Sequence, residues 1–203
     1  MLWWTGCCLQ RGRNRMQRMT NVENLNRLIG RGLPTTVAME VDAGRLDEEF
    51  EVALWTTRRE AEGWAKDAAN RSATFKPVWD FDPSRFYLAL DGEKPDTIDA
   101  ATLTVVEVPV GELHGALQHG SGRDEDPWSK RYWSKTAVIA YRWALGLAVT
   151  PPLIRPWKGE IVIAGGMHRL HLARHYGAQS MPVLVWRDEL EEVVRILPSA
   201  RAP

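Results

Sequence analysis

The run Ile161-Val162-Ile163-Ala164-Gly165-Gly166-Met167-His168-Arg169-Leu170 concentrates the chemistry of this chain. An apolar, β-branched strand ends in two glycines, and a helix opens with a histidine and an arginine in its first turn. Glycine lets the backbone turn tightly and lets a ligand approach it closely. A helix start presents unpaired N–H groups and the positive end of a dipole, and both favour an anion. Two basic-capable side chains are disfavoured at that end of a helix unless an anion joins them. Gly165, Gly166, Met167, His168 and Arg169 therefore read as a phosphate cradle. In it Arg169 holds the anion through a forked contact, and His168 hydrogen-bonds it or shuttles a proton. The competing reading pairs Arg169 with a nearby carboxylate and leaves the glycines only a tight turn to make.

Further along that helix, His168, His171 and His175 stand at i, i+3 and i+7. Seven residues span about 10 Å of helix, too far for one metal ion, so no metal site is assigned. His171 reads as a surface or partner-facing residue, and His175 suits the helix C-terminus. Glu125 and Asp126 precede a long helix. Either could supply a magnesium ligand, and Glu125 a general base across a cleft; acidic residues at a helix start also serve as ordinary caps. Lys130, Arg131 and Lys135, interleaved with Trp128 and Trp133, form a basic-aromatic cluster. Such a cluster can stack a base and track nucleic-acid phosphates. It is equally what a solvated helix face over buried tryptophans looks like.

The elements that must position these residues are legible in the second half. Residues 102–110 alternate into a strand, and a polar loop containing Gly120 and Gly122 follows. Asp126-Pro127 reads as a cap and first-turn proline, opening a helix to about Gly146 with Ala137, Ala140, Ala144 and Leu147 as its apolar stripe. Residues 151–154 and 160–164 read as strands joined by a turn at Lys158-Gly159. A helix over residues 168–176 ends at Gly177. A strand follows over 181–186, and Asp188 caps a terminal helix with Leu190, Val193, Val194 and Leu197 inward. Upstream, residues 35–41 and 52–55 read as strands. Thr57-Arg58-Arg59-Glu60 reads as a capping box starting a helix to about Asn70. Residues 75–81 and 86–90 read as strands broken by Pro77 and Pro83, and the acidic stretch 91–99 as a linker.

The fold class is therefore α/β or α+β, a small mixed sheet with helices preceded by a smaller α+β region. The expected divisions are a basic arm over 1–34, an N-terminal region over 35–100, a main domain over 101–187, and a C-terminal helix and tail over 188–203. The arm carries Arg11, Arg13, Arg15 and Arg18 with no acidic residue before Glu23. Its charges follow its apolar part, the wrong order for a signal peptide. It reads as disordered, or as sequence upstream of a true start at Met16 or Met19.

Composition bounds the function. Lys plus Arg and Asp plus Glu both number 26, so the net charge is zero. That disfavours a general nucleic-acid coat or a polybasic membrane binder, though not a local basic patch. The two cysteines, Cys7 and Cys8, are adjacent and offer neither a disulfide framework nor a zinc spacing. They place the chain in a reducing, cytoplasmic compartment, and no apolar stretch is long enough to span a bilayer.

The order strand, helix, a strand entered through Pro151-Pro152, a strand ending in Gly165-Gly166, a helix opening His168-Arg169, and a strand from Pro182-Val183 resembles the ParB/sulfiredoxin superfamily. The resemblance covers roughly residues 102–186, and Ala173 and Gly177 belong to it. Sulfiredoxins carry Gly-Gly-Cys-His-Arg; Met167 stands at the cysteine position here, so their nucleophile is missing. Partition ParB proteins carry Gly-Glu-Arg-Arg, bind CTP there, and need a helix-turn-helix for which the residues after Val185 leave no room. Related free-serine kinases carry Gly-His-His-Arg and use ADP or ATP; this chain keeps the His-Arg pair. The resemblance implies ATP or CTP as ligand, Mg²⁺ as the bridging ion, and phosphoryl hydrolysis or transfer with His168, Arg169 and Glu125 in catalytic roles. One alternative is a DNA-associated protein or nuclease of phage or plasmid type using Lys130, Arg131, Lys135 and Trp133. Another is an inactive interaction module. A nucleotide is the expected partner, DNA the alternative one, a membrane is not, and a homodimer stays open.

Overall fold

The computed structural model describes residues 22–90, 98–119 and 122–202. The basic arm before residue 22, Cys7, Cys8, Met16 and Met19 lie outside the described residues. So do Gly120 and most of the expected linker. By contacts the chain divides into two compact units, meeting between Arg59 and Glu60.

The first unit is helical: α1 (Val22–Gly30), α2 (Thr35–Asp42) and the first turns of α3 (Glu48–Trp64). Leu28, Leu33 and Ala38 are buried there, with Val37, Val41, Val52 and Trp55 packed on them. The strands expected over 35–41 and 52–55 are thus helices. Val37 and Val41 recur four apart, and Val52 and Trp55 three apart, which is helical spacing. Their β-branched content is a weak preference that packing overrides. Thr57–Glu60 lies inside α3 and opens no helix. Arg27 hydrogen-bonds Glu48 across this unit, and that contact draws the Glu48 carboxyl down to about 2.

The second unit is a four-stranded mixed sheet with helices, the α+β class expected. Its strands are β1 (Leu103–Pro109), β2 (Leu153–Trp157), β3 (Glu160–Gly165) and β4 (Ser180–Trp186), in the order β1-β4-β2-β3. β4 runs antiparallel to β1 and parallel to β2, while β2 and β3 form an antiparallel hairpin. The hairpin turns at Lys158 and Gly159, both at positive φ. β4 is covered on both faces, which is why Met181-Pro182-Val183-Leu184-Val185 reads as an unbroken apolar run. Alternate residues serve alternate faces. Val106, Val108, Met181, Val183 and Val185 share the large core with residues of α5 (Val110–Gly115), α6 (Trp133–Ala144), α7 (Met167–His175) and α8 (Leu190–Ile196). Leu103, Leu153 and Leu184 pack on the other side with Phe86 and Ala89.

Several expected boundaries move. α6 opens at Trp133, because Asp126 caps a turn through the Trp128 amide at 2.9 Å without starting the helix. Within its stripe Ala137 and Ala140 are fully buried and Leu147 is exposed. Residues 75–81 are no strand of the sheet: Trp79 makes an isolated bridge to Val149, and Phe75, Val78 and Trp79 pack against the large core. The expected strand over 86–90 is instead part of a 3₁₀ turn, Pro83–Ala89, capped by Asp82 on the Ser84 amide. α4 (Ala68–Ser72) is separate from α3, and α5 was not foreseen. In α8 Val193 and Leu197 face inward, whereas Val194 is exposed. No helix among the described residues is long and apolar enough to cross a membrane.

Candidate functional site

The strand–Gly-Gly–helix turn forms where the sequence puts it. Gly166 sits at φ 87°, caps α7 with no side chain to satisfy the first amides, and lets the chain reverse from β3 into the helix. A Cβ there would stand 2.8 Å from the Pro152 Cα. A Cβ on Gly165 would collide with the Ala89 carbonyl oxygen. These glycines therefore admit the chain's own backbone on the side where a ligand was expected.

Arg169 explains why. It is 9% exposed, and its guanidinium donates to the Leu88 carbonyl at 2.6 Å and the Ala89 carbonyl at 3.2 Å. The fork grips the end of the 3₁₀ turn against the glycines. Two of its five N–H donors are thus matched to internal acceptors. Both of these acceptors are backbone carbonyls.

His168, one residue earlier, faces elsewhere. It is half-buried, with the Arg123 Nη1 3.2 Å from its Nε2 and 3.4 Å from its Nδ1. Its ring meets Tyr132 edge-on at 5.7 Å. The Arg123 guanidinium lies over the same tyrosine at 4.2 Å, and Arg131 approaches it at 5.5 Å. Tyr132 thus gathers two arginines through cation–π contacts and a histidine through an edge-on ring contact at the uncapped start of α7. Of the nearby carboxylates, Asp124 is bound to Arg174 at 2.8 Å, and that bond holds its carboxyl below the usual range. Asp126 caps Trp128. Among the described residues Arg123 and Arg131 have no carboxylate partner.

His171 is 6% exposed, so it is not the surface residue expected. Its Nε2–H donates to the Glu125 carbonyl at 2.7 Å, which leaves Nδ1 as a buried acceptor without a partner. Burial lowers its pKa, so the ring is neutral at physiological pH. His175 is exposed at the end of α7, its ring tilted against Tyr176 at 5.8 Å. Glu125 enters this arrangement through its backbone, with its side chain exposed. The described residues contain no group of three His, Cys, Asp or Glu that could hold a metal ion.

Lys130, Arg131 and Lys135 are exposed. Trp133 packs edge-on against Trp128 at 6.1 Å, with the Arg71 guanidinium 5.5 Å from its ring. Arg71, Asp126, Trp128, Lys130 and Trp133 line an open cavity of about 540 Å³. Arg71, Arg123 and Tyr132 were missed from the sequence. Tyr132 was visible between Arg131 and Trp133. Arg123 reaches His168 across 45 positions, which no periodicity reveals.

Compared with known proteins, the chain matches no family model, no curated protein and no solved structure.

Proposed function

We propose that this chain binds nucleotide phosphate at the start of α7, with Arg123, Arg131 and His168 as the anion-facing groups. The observation that carries the reading is the grouping of these three around Tyr132 without a carboxylate partner for either arginine among the described residues. Cationic side chains held together at a positive helix end repel one another, and an anion relieves that repulsion. The Gly166 cap leaves the first amides of α7 without a side-chain acceptor, which adds donors at the same place.

ATP or CTP as the nucleotide, and Mg²⁺ with it, rest on the ParB/sulfiredoxin resemblance alone. Magnesium would enter with the nucleotide, since the described residues contain no group of three His, Cys, Asp or Glu to hold it independently. The reading is therefore one of binding. For hydrolysis or transfer the general base would be Glu125, whose side chain is exposed.

Calorimetric titration with ATP and with CTP, each with magnesium, tests the reading. Hydrogen bonds to a charged group contribute about 1.5–3 kcal/mol. Arg123→Ala is thus expected to weaken binding about tenfold or more. Absence of binding by either nucleotide overturns the proposal, as does binding indifferent to Arg123→Ala. Phosphate release, followed in the same samples, reports whether chemistry accompanies binding.

A further inference from the structure

The cavity beside this cluster carries the reading further. Trp128 and Trp133 are both half-buried, so part of each indole is open to a ligand. Its volume of about 540 Å³ lies within the range of small-molecule sites, about 300–1,000 Å³. Arg71 is drawn over Trp133 and also hydrogen-bonds the Ala65 carbonyl at 2.7 Å, which fixes its guanidinium as one wall. Lys130 lines the opening and is exposed, without a carboxylate partner among the described residues. Trp128 Nε1 and Ser129 Oγ are buried polar atoms with no partner. Asp126, the acidic member of the lining, is engaged with the Trp128 amide.

Tyr132 and Trp133 are consecutive at the start of α6, which puts the cation cluster and the aromatic cavity at the same end of that helix. One organises phosphate-binding cations around a tyrosine; the other offers indole faces beside an arginine and a lysine. A ligand engaging both presents a flat π-surface and more than one phosphate. Unpaired bases stack on aromatic side chains, whereas bases inside a duplex already stack on one another.

We infer that the surface formed by Arg71, Trp128, Lys130 and Trp133 together with Arg123 and Arg131 binds single-stranded nucleic acid, a base entering the cavity and the adjoining phosphates lying on the arginines and Lys130. This rests on Arg123 and His168 being a phosphate site, and it names the polymer as the ligand of that site. A net charge of zero suits it, because attraction is confined to this patch.

The probe is a short fluorescein-labelled oligothymidylate, titrated into the full chain at low and at moderate salt and read by anisotropy and tryptophan quenching. The expected result is binding with tryptophan quenching. Neutralising three phosphates with Arg123, Lys130 and Arg131 gives a log–log salt slope of about −2. A duplex of the same length should bind at least about tenfold more weakly. Lys130→Ala with Arg131→Ala, both exposed and safe for folding, should weaken oligonucleotide binding about tenfold and flatten the slope. Trp133→Leu should reduce the quenching, leaving the share due to Trp128. No retention at low salt, equal affinity for duplex and single strand, or indifference to the Lys130/Arg131 double substitution overturns the inference. ATP and CTP titrations of the wild type and Arg123→Ala, run beside it, separate the two failures. If a nucleotide binds and depends on Arg123 while the oligonucleotide does not bind, only the polymer assignment falls.

Discussion

Adjacent residues at one turn have unrelated roles. His168 belongs with Arg123 and Tyr132 on a surface, whereas Arg169 is bonded inward to Leu88 and Ala89. Arg169→Ala leaves two carbonyls short of a donor in a buried place, a loss of about 2–4 kcal/mol. Urea denaturation checks it, with nucleotide affinity of the folded fraction expected to stay unchanged. Arg169→Lys recovers only part, since an ammonium cannot reproduce the planar fork. The sequence showed that Arg169 mattered but not to what, because its acceptors are backbone atoms some 80 positions away. His171 gives a pH dependence. Its native pKa lies below the unfolded value near 6.5, so the unfolded chain binds the extra proton first. Stability is therefore full above about pH 6.5, declines as pH falls through it, and stops declining once the native ring also protonates. Urea midpoints followed from pH 7.5 to about 5 should fall in the wild type, and fall less in His171→Gln.

Among elements, the turn between β3 and α7 and the 3₁₀ turn Pro83–Ala89 form one packed joint. Gly165→Ala drives a methyl into the Ala89 carbonyl, and overpacking of this kind costs about 1–3 kcal/mol. A lowered thermal midpoint with unchanged secondary structure by circular dichroism is the expected result. The second-half strands were readable because β-branched alternation and the Lys158-Gly159 turn agree with the sheet they enter. Upstream, α2 and α3 were misread because short β-branched runs carry a strand preference that helical packing on Leu28 and Ala38 outweighs. The 3₁₀ turn carries its own signal in the sequence. Asp82-Pro83 is a cap and first-turn proline, the same pairing read at Asp126-Pro127.

For the whole molecule, charge decides what kind of binding is available. With 26 acidic and 26 basic residues there is no overall field to collect polyanions, so any affinity must come from a local arrangement. The arrangement around Tyr132 combines residues from the loop before α6 and the first turn of α7, which is why the sequence showed its parts and not their meeting. Affinity for ATP should accordingly fall with added salt, since the groups involved are accessible to counterions. The measurement closest to the central claim compares Arg123→Ala with Arg169→Ala in calorimetric titrations with magnesium and either ATP or CTP. Arg123→Ala is expected to weaken binding about tenfold or more in a chain that still folds, while Arg169→Ala lowers stability and leaves affinity intact. Affinity lost with Arg169 and retained without Arg123 would contradict it.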